Sequence, residues 1–147
     1  MCHTFSEVPT DGGPAVAFLR DYSVDPVWQP SGRFVVYSGP DVGTTLSVKA
    51  VASEGVTHPL PSLTILTRDA RHLKFIVGGN GLAFLRGSME HKDLWLMDTE
   101  TGAERQLTKL PGDFDIRDFD ISPNGRAVVL ERVQERSDIV LLDLVGQ

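Results

Sequence analysis

Three runs of four apolar residues, Phe34 to Tyr37, Leu82 to Leu85 and Ala127 to Leu130, recur along the chain, each just after a turn that contains glycine. Continuous apolar runs of this length predict strands covered on both faces, whereas a strand with one wet face alternates. The turns read Pro30-Ser31-Gly32, Gly79-Asn80-Gly81 and Pro123-Asn124-Gly125, and glycine and asparagine there permit a tight reversal. A third strand is predicted after each run, at Thr45 to Val51, Asp93 to Met97 and Asp138 to Leu142, followed by a more polar fourth at Val56 to Leu60 and Glu104 to Thr108. Residues 63–77 come nearest to a helical pattern, but Leu63, Ile65, Phe75 and Val77 fit two short strands as well.

Hairpins such as residues 93–108 cannot bury their own apolar side chains, so the units must pack on one another. With Gly32, Gly81 and Gly125 as equivalent turns, the unit repeats at 49 and 44 residues, within the range of four-stranded propeller blades. The predicted units are 26–60, 72–110 and 115–144. "EVPTDGGPAVAFL" aligns with "MDTETGAERQLT", which makes residues 4–19 the tail of a preceding unit. The expectation is a single all-β segment over residues 1–147, with 33–38, 82–86 and 126–131 as central strands.

"VWQPSGRFVVYS", "DISPNGRAVVLE", "LWLMDTETGAERQLT" and "DIVLLDL" resemble the TolB-like β-propeller repeats, a branch related to WD-repeat propellers. The family unit runs through Ser-Pro-Asp-Gly, an apolar strand, a second strand ending in Asp, then Thr-Gly and a Gln-Leu-Thr tail. The turn aspartate is missing from all three copies here, with Asn124 its nearest substitute, so no site that depends on it carries over. The resemblance implies four-stranded antiparallel blades, about three per chain, or half of a six-bladed ring. It also implies that Trp28 packs between blades, and Trp95, mid-strand between two leucines, is expected in the core.

Composition narrows the function. Fourteen basic against 20 acidic residues give a net charge of -6, which argues against nucleic acid as a partner. One cysteine, Cys2, excludes an internal disulfide and a zinc cluster. No apolar run is long enough to cross a bilayer and no export segment is evident at the N-terminus, so no membrane contact and a cytoplasmic location are expected. A TolB-like exported parent would place the chain in the periplasm instead.

No Gly-x-Ser-x-Gly nucleophile elbow occurs, and His3, His58, His72 and His91 lack the pairing of a catalytic zinc site. Four carboxylates, Asp113, Asp115, Asp118 and Asp120, lie close enough to suggest calcium. Their spacing matches neither the EF-hand nor the nonapeptide calcium repeats, so the expectation is no metal and no cofactor. Loops leading into first strands and joining second to third strands should share one end of the stack, near residues 21–25, 41, 89–92, 113–118 and 132–136. Interaction residues expected there are Asp21, Asp25, Asp41, His91, Asp113, Arg117, Asp118, Arg132 and Glu135.

The reading is a non-catalytic propeller module for protein interaction or ligand sensing, belonging to a larger bacterial regulatory protein. The alternatives are the gating propeller of a prolyl-oligopeptidase-like or carbohydrate-active enzyme, and a truncated gene fragment. Exposed apolar end faces predict a homodimer that completes a six-bladed ring, with residues 14–19 of one subunit adding to residues 138–144 of its mate.

Overall fold

The computed structural model describes residues 4–20, 22–66, 72–88 and 90–134, and among these there is no helix. Among the described residues, thirteen strands form four antiparallel sheets. An N-terminal hairpin pairs β1 (Phe5–Glu7) with β2 (Val16–Leu19). The first sheet has the order β3 (Val24–Trp28), β4 (Phe34–Val42), β5 (Thr45–Ala52), β6 (Thr57–His58), with β7 (Thr64–Leu66) also on β5. The second sheet runs β8 (Leu73–Phe75), β9 (Gly81–Gly87), β10 (Lys92–Asp98), β11 (Glu104–Gln106), and the third pairs β12 (Asp115–Ile121) with β13 (Val128–Val133). Residues 63–77 thus supply two short strands, and the expected third strand at 138–144 lies outside the described residues.

The turns show how the units correspond. Gly32 N–H donates to the Gln29 carbonyl, Gly79 N–H to Ile76 and Gly125 N–H to Ser122. In the reverse direction Gln29, Ile76 and Ser122 donate to Phe34, Gly81 and Ala127. The partner of Gly32 and Gly125 is therefore Gly79, not Gly81, and the unit repeats at 47 and 46 residues. Gly32 and Gly125 have positive φ, +74° and +67°, whereas in the middle turn positive φ falls one residue earlier, on Gly78 at +76°. Position three of a type II turn has that conformation, which explains why the middle unit departs from the Pro-x-Gly pattern. Gln29 and Asn124 support their turns from the side chain, accepting from Ser31 N–H and Arg126 N–H. A Cβ on Gly125 would also lie 3.1 Å from the Ile76 methyl. Gly125→Val is expected to cost roughly 1–3 kcal/mol, read as a drop in denaturation midpoint; an unchanged midpoint would contradict the turn.

The fourth strand of the first sheet is shorter than expected. Thr57 and His58 pair with Val51 and Ala50, the segment leaves the edge at Pro59 and Pro61, and Thr64 to Leu66 return beside Ser47 to Thr45. Proline has no N–H for the ladder, so the edge breaks there.

Alternation along each central strand lets the sheets stack face to face. Val35, Tyr37 and Val51 meet Phe5, Phe18 and Leu19 of the hairpin. Phe34, Val36, Leu46, Val48 and Ala50 meet Leu73, Phe75, Leu82, Phe84 and Met97 in the largest cluster. Ala83, Leu85 and Leu94, on the other face of the second sheet, meet Ile116 and Phe119 of the third.

Two sequence expectations fail at the ends of the stack. Trp28 is 49% exposed, although Phe75, its counterpart one repeat on, is only 8% exposed. The hairpin covers only part of that face, and Trp28 meets the Phe18 ring at a tilt, 6.1 Å between ring centres. Val129 is 73% exposed, although its counterparts Val36 and Ala83 are fully buried, because no described sheet covers the far face of the third sheet. Trp95, by contrast, packs against the largest cluster.

Candidate interaction face

At one end of the second and third sheets the β9–β10 turn meets the segment that leads into β12. Gly87 makes the turn possible, since a Cβ there would stand 2.2 Å from the His91 carbonyl oxygen. Ser88 N–H donates to that oxygen, and the Ser88 hydroxyl accepts from the N–H groups of Glu90 and His91. The turn therefore presents three consecutive residues to fixed partners.

His91 Nδ1 lies 2.7 Å from the Phe114 carbonyl, which can only accept, so this nitrogen carries a proton and donates it there. Its Nε2 is 3.5 Å from Asp93 Oδ2. Lys92 is fully buried, and its ammonium reaches both oxygens of Asp115 at 3.1 and 2.9 Å. Asp93 accepts from the Gln106 amide, the Thr108 hydroxyl and Leu110 N–H. Burial pushes the Asp93 carboxyl up, but the Leu110 N–H, the Thr108 hydroxyl and the His91 ring outweigh it and hold the group below its ordinary value. A depressed carboxylate contributes stability above its unfolded pKa, and that contribution is lost as pH falls through the lower folded value. Asp93→Asn is accordingly expected to destabilise the chain more at neutral pH than below about pH 3. Equal losses at both pH values in urea titrations would contradict this.

Arg132 of β13 lies over the Phe114 ring at 4.8 Å, and Gln134 donates to Asp113 at 2.9 Å. The structure therefore gathers His91, Asp113 and Arg132 around Phe114. Asp115 joins them through Lys92. Asp118 and Asp120 go elsewhere, to His72 just before β8 at 3.0 Å and to Lys74 on β8 at 3.4 Å, so both pairs link β12 to the start of the second sheet. Both pairs are 46 residues apart, one repeat, and that spacing is the signal by which sequence alone could have found them. Backbone hydrogen bonding to Ile121, reinforced by Lys74, holds the exposed Asp120 carboxyl low.

The aspartates thus diverge to different partners, and among the described residues no group of three or more His, Cys, Asp or Glu side chains is placed to hold a metal ion. Arg117 is exposed on β12, and Asp25 adopts φ of 54° on β3, away from the Phe114 cluster in sequence and strand. Asp41 is known by its backbone, which pairs with Leu46. Asp21 and Glu135 lie outside the described residues. Lys92, Phe114 and Gln134 fall inside the segments expected on this face, and the structure adds the contacts that give each its role.

At the other end of the stack, Arg33, Phe34, His58, Pro59, Leu60, Pro61, Thr99 and Glu100 line an open cleft of about 500 Å³. Arg33 reaches Glu100 across it at 3.5 Å, and His58 stacks on Phe34 at 4.1 Å between ring centres.

No family model and no curated protein matches this chain.

Proposed function

We propose that the chain is a non-catalytic segment of a TolB-like β-propeller whose role is to bind another protein through the end face around Phe114. The observation that carries this reading is the arrangement of His91, Asp113, Phe114 and Arg132. Loops from two sheets present an aromatic ring with a cation over it, ringed by charged groups that have fixed partners. Aromatic residues with arginine are the side chains that anchor protein interfaces, and loops held by a rigid scaffold are where propellers and other superfolds place recognition. The repeat at 47 and 46 residues and the face-to-face stacking support the propeller reading, with the sheets as blades of a larger ring.

The test is selection from a random peptide library displayed on phage, against the immobilised chain. Peptides enriched on the wild type should lose binding to Arg132→Ala while retaining it on Glu54→Ala, a turn residue of the opposite end. Absence of enrichment over an unrelated protein, or enrichment indifferent to Arg132→Ala, would overturn the assignment.

A further inference from the structure

The cleft at the end opposite the Phe114 face carries its two charges on turns that are fixed separately. Arg33 follows the turn closed by Gly32 and precedes Phe34, whose ring anchors β4 in the largest cluster. Glu100 sits on the turn that joins β10 to β11. There Asp98 Oδ1 accepts from the N–H groups of Thr101 and Glu100 and from the Thr101 hydroxyl, bonds that also hold the Asp98 carboxyl below its ordinary value. Gly102 lets this turn sit against the edge segment of the first sheet, since a Cβ there would stand 3.2 Å from Pro61 Cβ. Pro59, Leu60 and Pro61, where that edge breaks, line the same cleft with apolar surface.

The ion pair across the cleft is incomplete by the chain's own standard. Arg33 meets Glu100 through one nitrogen and one oxygen at 3.5 Å, and the two side chains are 56% and 61% exposed. Arg86 and Glu104, by comparison, meet through two nitrogens and two oxygens at 2.6 and 2.9 Å, with the guanidinium stacked on Phe84 and Trp95. A single exposed contact of the first kind adds little stability, so exchanging it for a ligand costs little. Among the described residues neither head group at the cleft has another partner, which leaves further guanidinium N–H groups and carboxylate lone pairs open.

A ligand that answers both groups must bring an anion to Arg33 and a cation to Glu100. Because the two head groups are 3.5 Å apart, the ligand's own charges must be neighbours too. An α-amino acid has both on one carbon. Within a peptide the two are lost to the amide bonds, and at either end only one remains. The cleft, at about 500 Å³, falls in the ordinary range for small-molecule sites.

We infer that this cleft binds a free α-amino acid with an apolar side chain. Its carboxylate lies on the Arg33 fork, its ammonium on Glu100, and its side chain on Pro59, Leu60 and Pro61. Both turns are already formed, so little ordering opposes binding. The site is separate from the Phe114 face, and the inference does not depend on the reading of that face.

The experiment is a titration of the full chain followed by amide nitrogen–proton correlation spectra. The probes are leucine, its isomer ε-aminocaproate, leucine methyl ester and N-acetylleucine. Leucine is expected to give saturable shifts at the amides of Arg33, Phe34, Thr99 and Glu100, while those of Lys92 and Asp115 at the opposite end stay in place. ε-Aminocaproate has the same atoms and the same charges but holds the charges apart; the ester lacks the anion, and N-acetylleucine lacks the cation. Each should bind at least about tenfold more weakly than leucine. Arg33→Ala and Glu100→Ala change exposed positions and should keep the fold, verified by the same spectra, while weakening the leucine response by a similar factor. No saturable shift with leucine, equal affinity for ε-aminocaproate or for either blocked derivative, shifts centred on the Phe114 face, or an unchanged leucine response in either variant would overturn the inference.

Discussion

Truncation of Phe34 to alanine is expected to lower the unfolding free energy by about 3–5 kcal/mol, the usual range for removing a buried aromatic ring. Phe34 is buried in the largest cluster, where His58 stacks on one side at 4.1 Å and Phe75 meets it edge-on at 6.0 Å between ring centres. The loss combines the transfer of the ring from water with a cavity that the neighbours fill only in part, since Val36, Leu82 and Phe84 are each held in a strand. A domain of this size has about 5–15 kcal/mol of stability in total, so one side chain would remove a large share of it. Urea titration should show a lower midpoint with an unchanged slope, the mark of lost stability without a changed unfolded state. Val56→Ala, at an exposed position, should stay within about 0.5 kcal/mol of the wild type. If Phe34→Ala cost no more than Val56→Ala, the packing of the first sheet on the second would be wrong.

Phe34 also illustrates what the sequence could reveal. The apolar runs at Phe34 and Leu82 marked β4 and β9 because a strand between two sheets has no wet face to mark with polar residues. The same run at Ala127 pointed to the right strand but the wrong burial. Val129 differs from Val36 only in having no described sheet beyond it, and a local pattern does not record what lies on the far side. Trp28 fails for the same reason at the other end. The middle turn was misplaced by two residues because Gly79 and Gly81 are equally permissive in sequence; only the hydrogen bond from Gly79 to Ile76 distinguishes them.

The candidate face was legible in part. His91, Asp113 and Arg132 were found because a repeat returns every loop of one type to the same end of the stack. Lys92 lay in an expected loop, but its burial was not legible, because a lysine at the start of a strand reads as solvated until a partner is known. The partner, Asp115, lies in another sheet, at a separation that is not a multiple of the repeat. Periodicity reveals His72 with Asp118 and Lys74 with Asp120, and it is silent on Lys92.

That buried pair gives the second large effect. Asp115→Ala is expected to destabilise the chain by about 3–5 kcal/mol, because it leaves the Lys92 ammonium without its carboxylate in a place that water does not reach. Lys92 has a further contact that softens the loss, which favours the lower end of that range. Lys92→Met should cost less, about 1–2 kcal/mol, because the Asp115 side chain retains 18% of its exposure and can recruit water in place of the ammonium. The asymmetry between partners is the signature of a desolvated cation, since an exposed pair loses less than about 1 kcal/mol from either side. The double variant, with methionine at 92 and alanine at 115, should be more stable than Asp115→Ala alone, because the stranded charge is gone. Chemical denaturation of the four proteins in a double-mutant cycle measures all of this, and a coupling energy of at least 1 kcal/mol is expected. The pair also joins the second sheet to the third, so its loss should loosen the contact of Ala83, Leu85 and Leu94 with Ile116 and Phe119. Hydrogen exchange in β12 should then quicken more than in β4, which lies two sheets away. Equal, small losses from both single substitutions, with exchange in β12 unchanged, would show that Lys92 and Asp115 do not hold the third sheet in place.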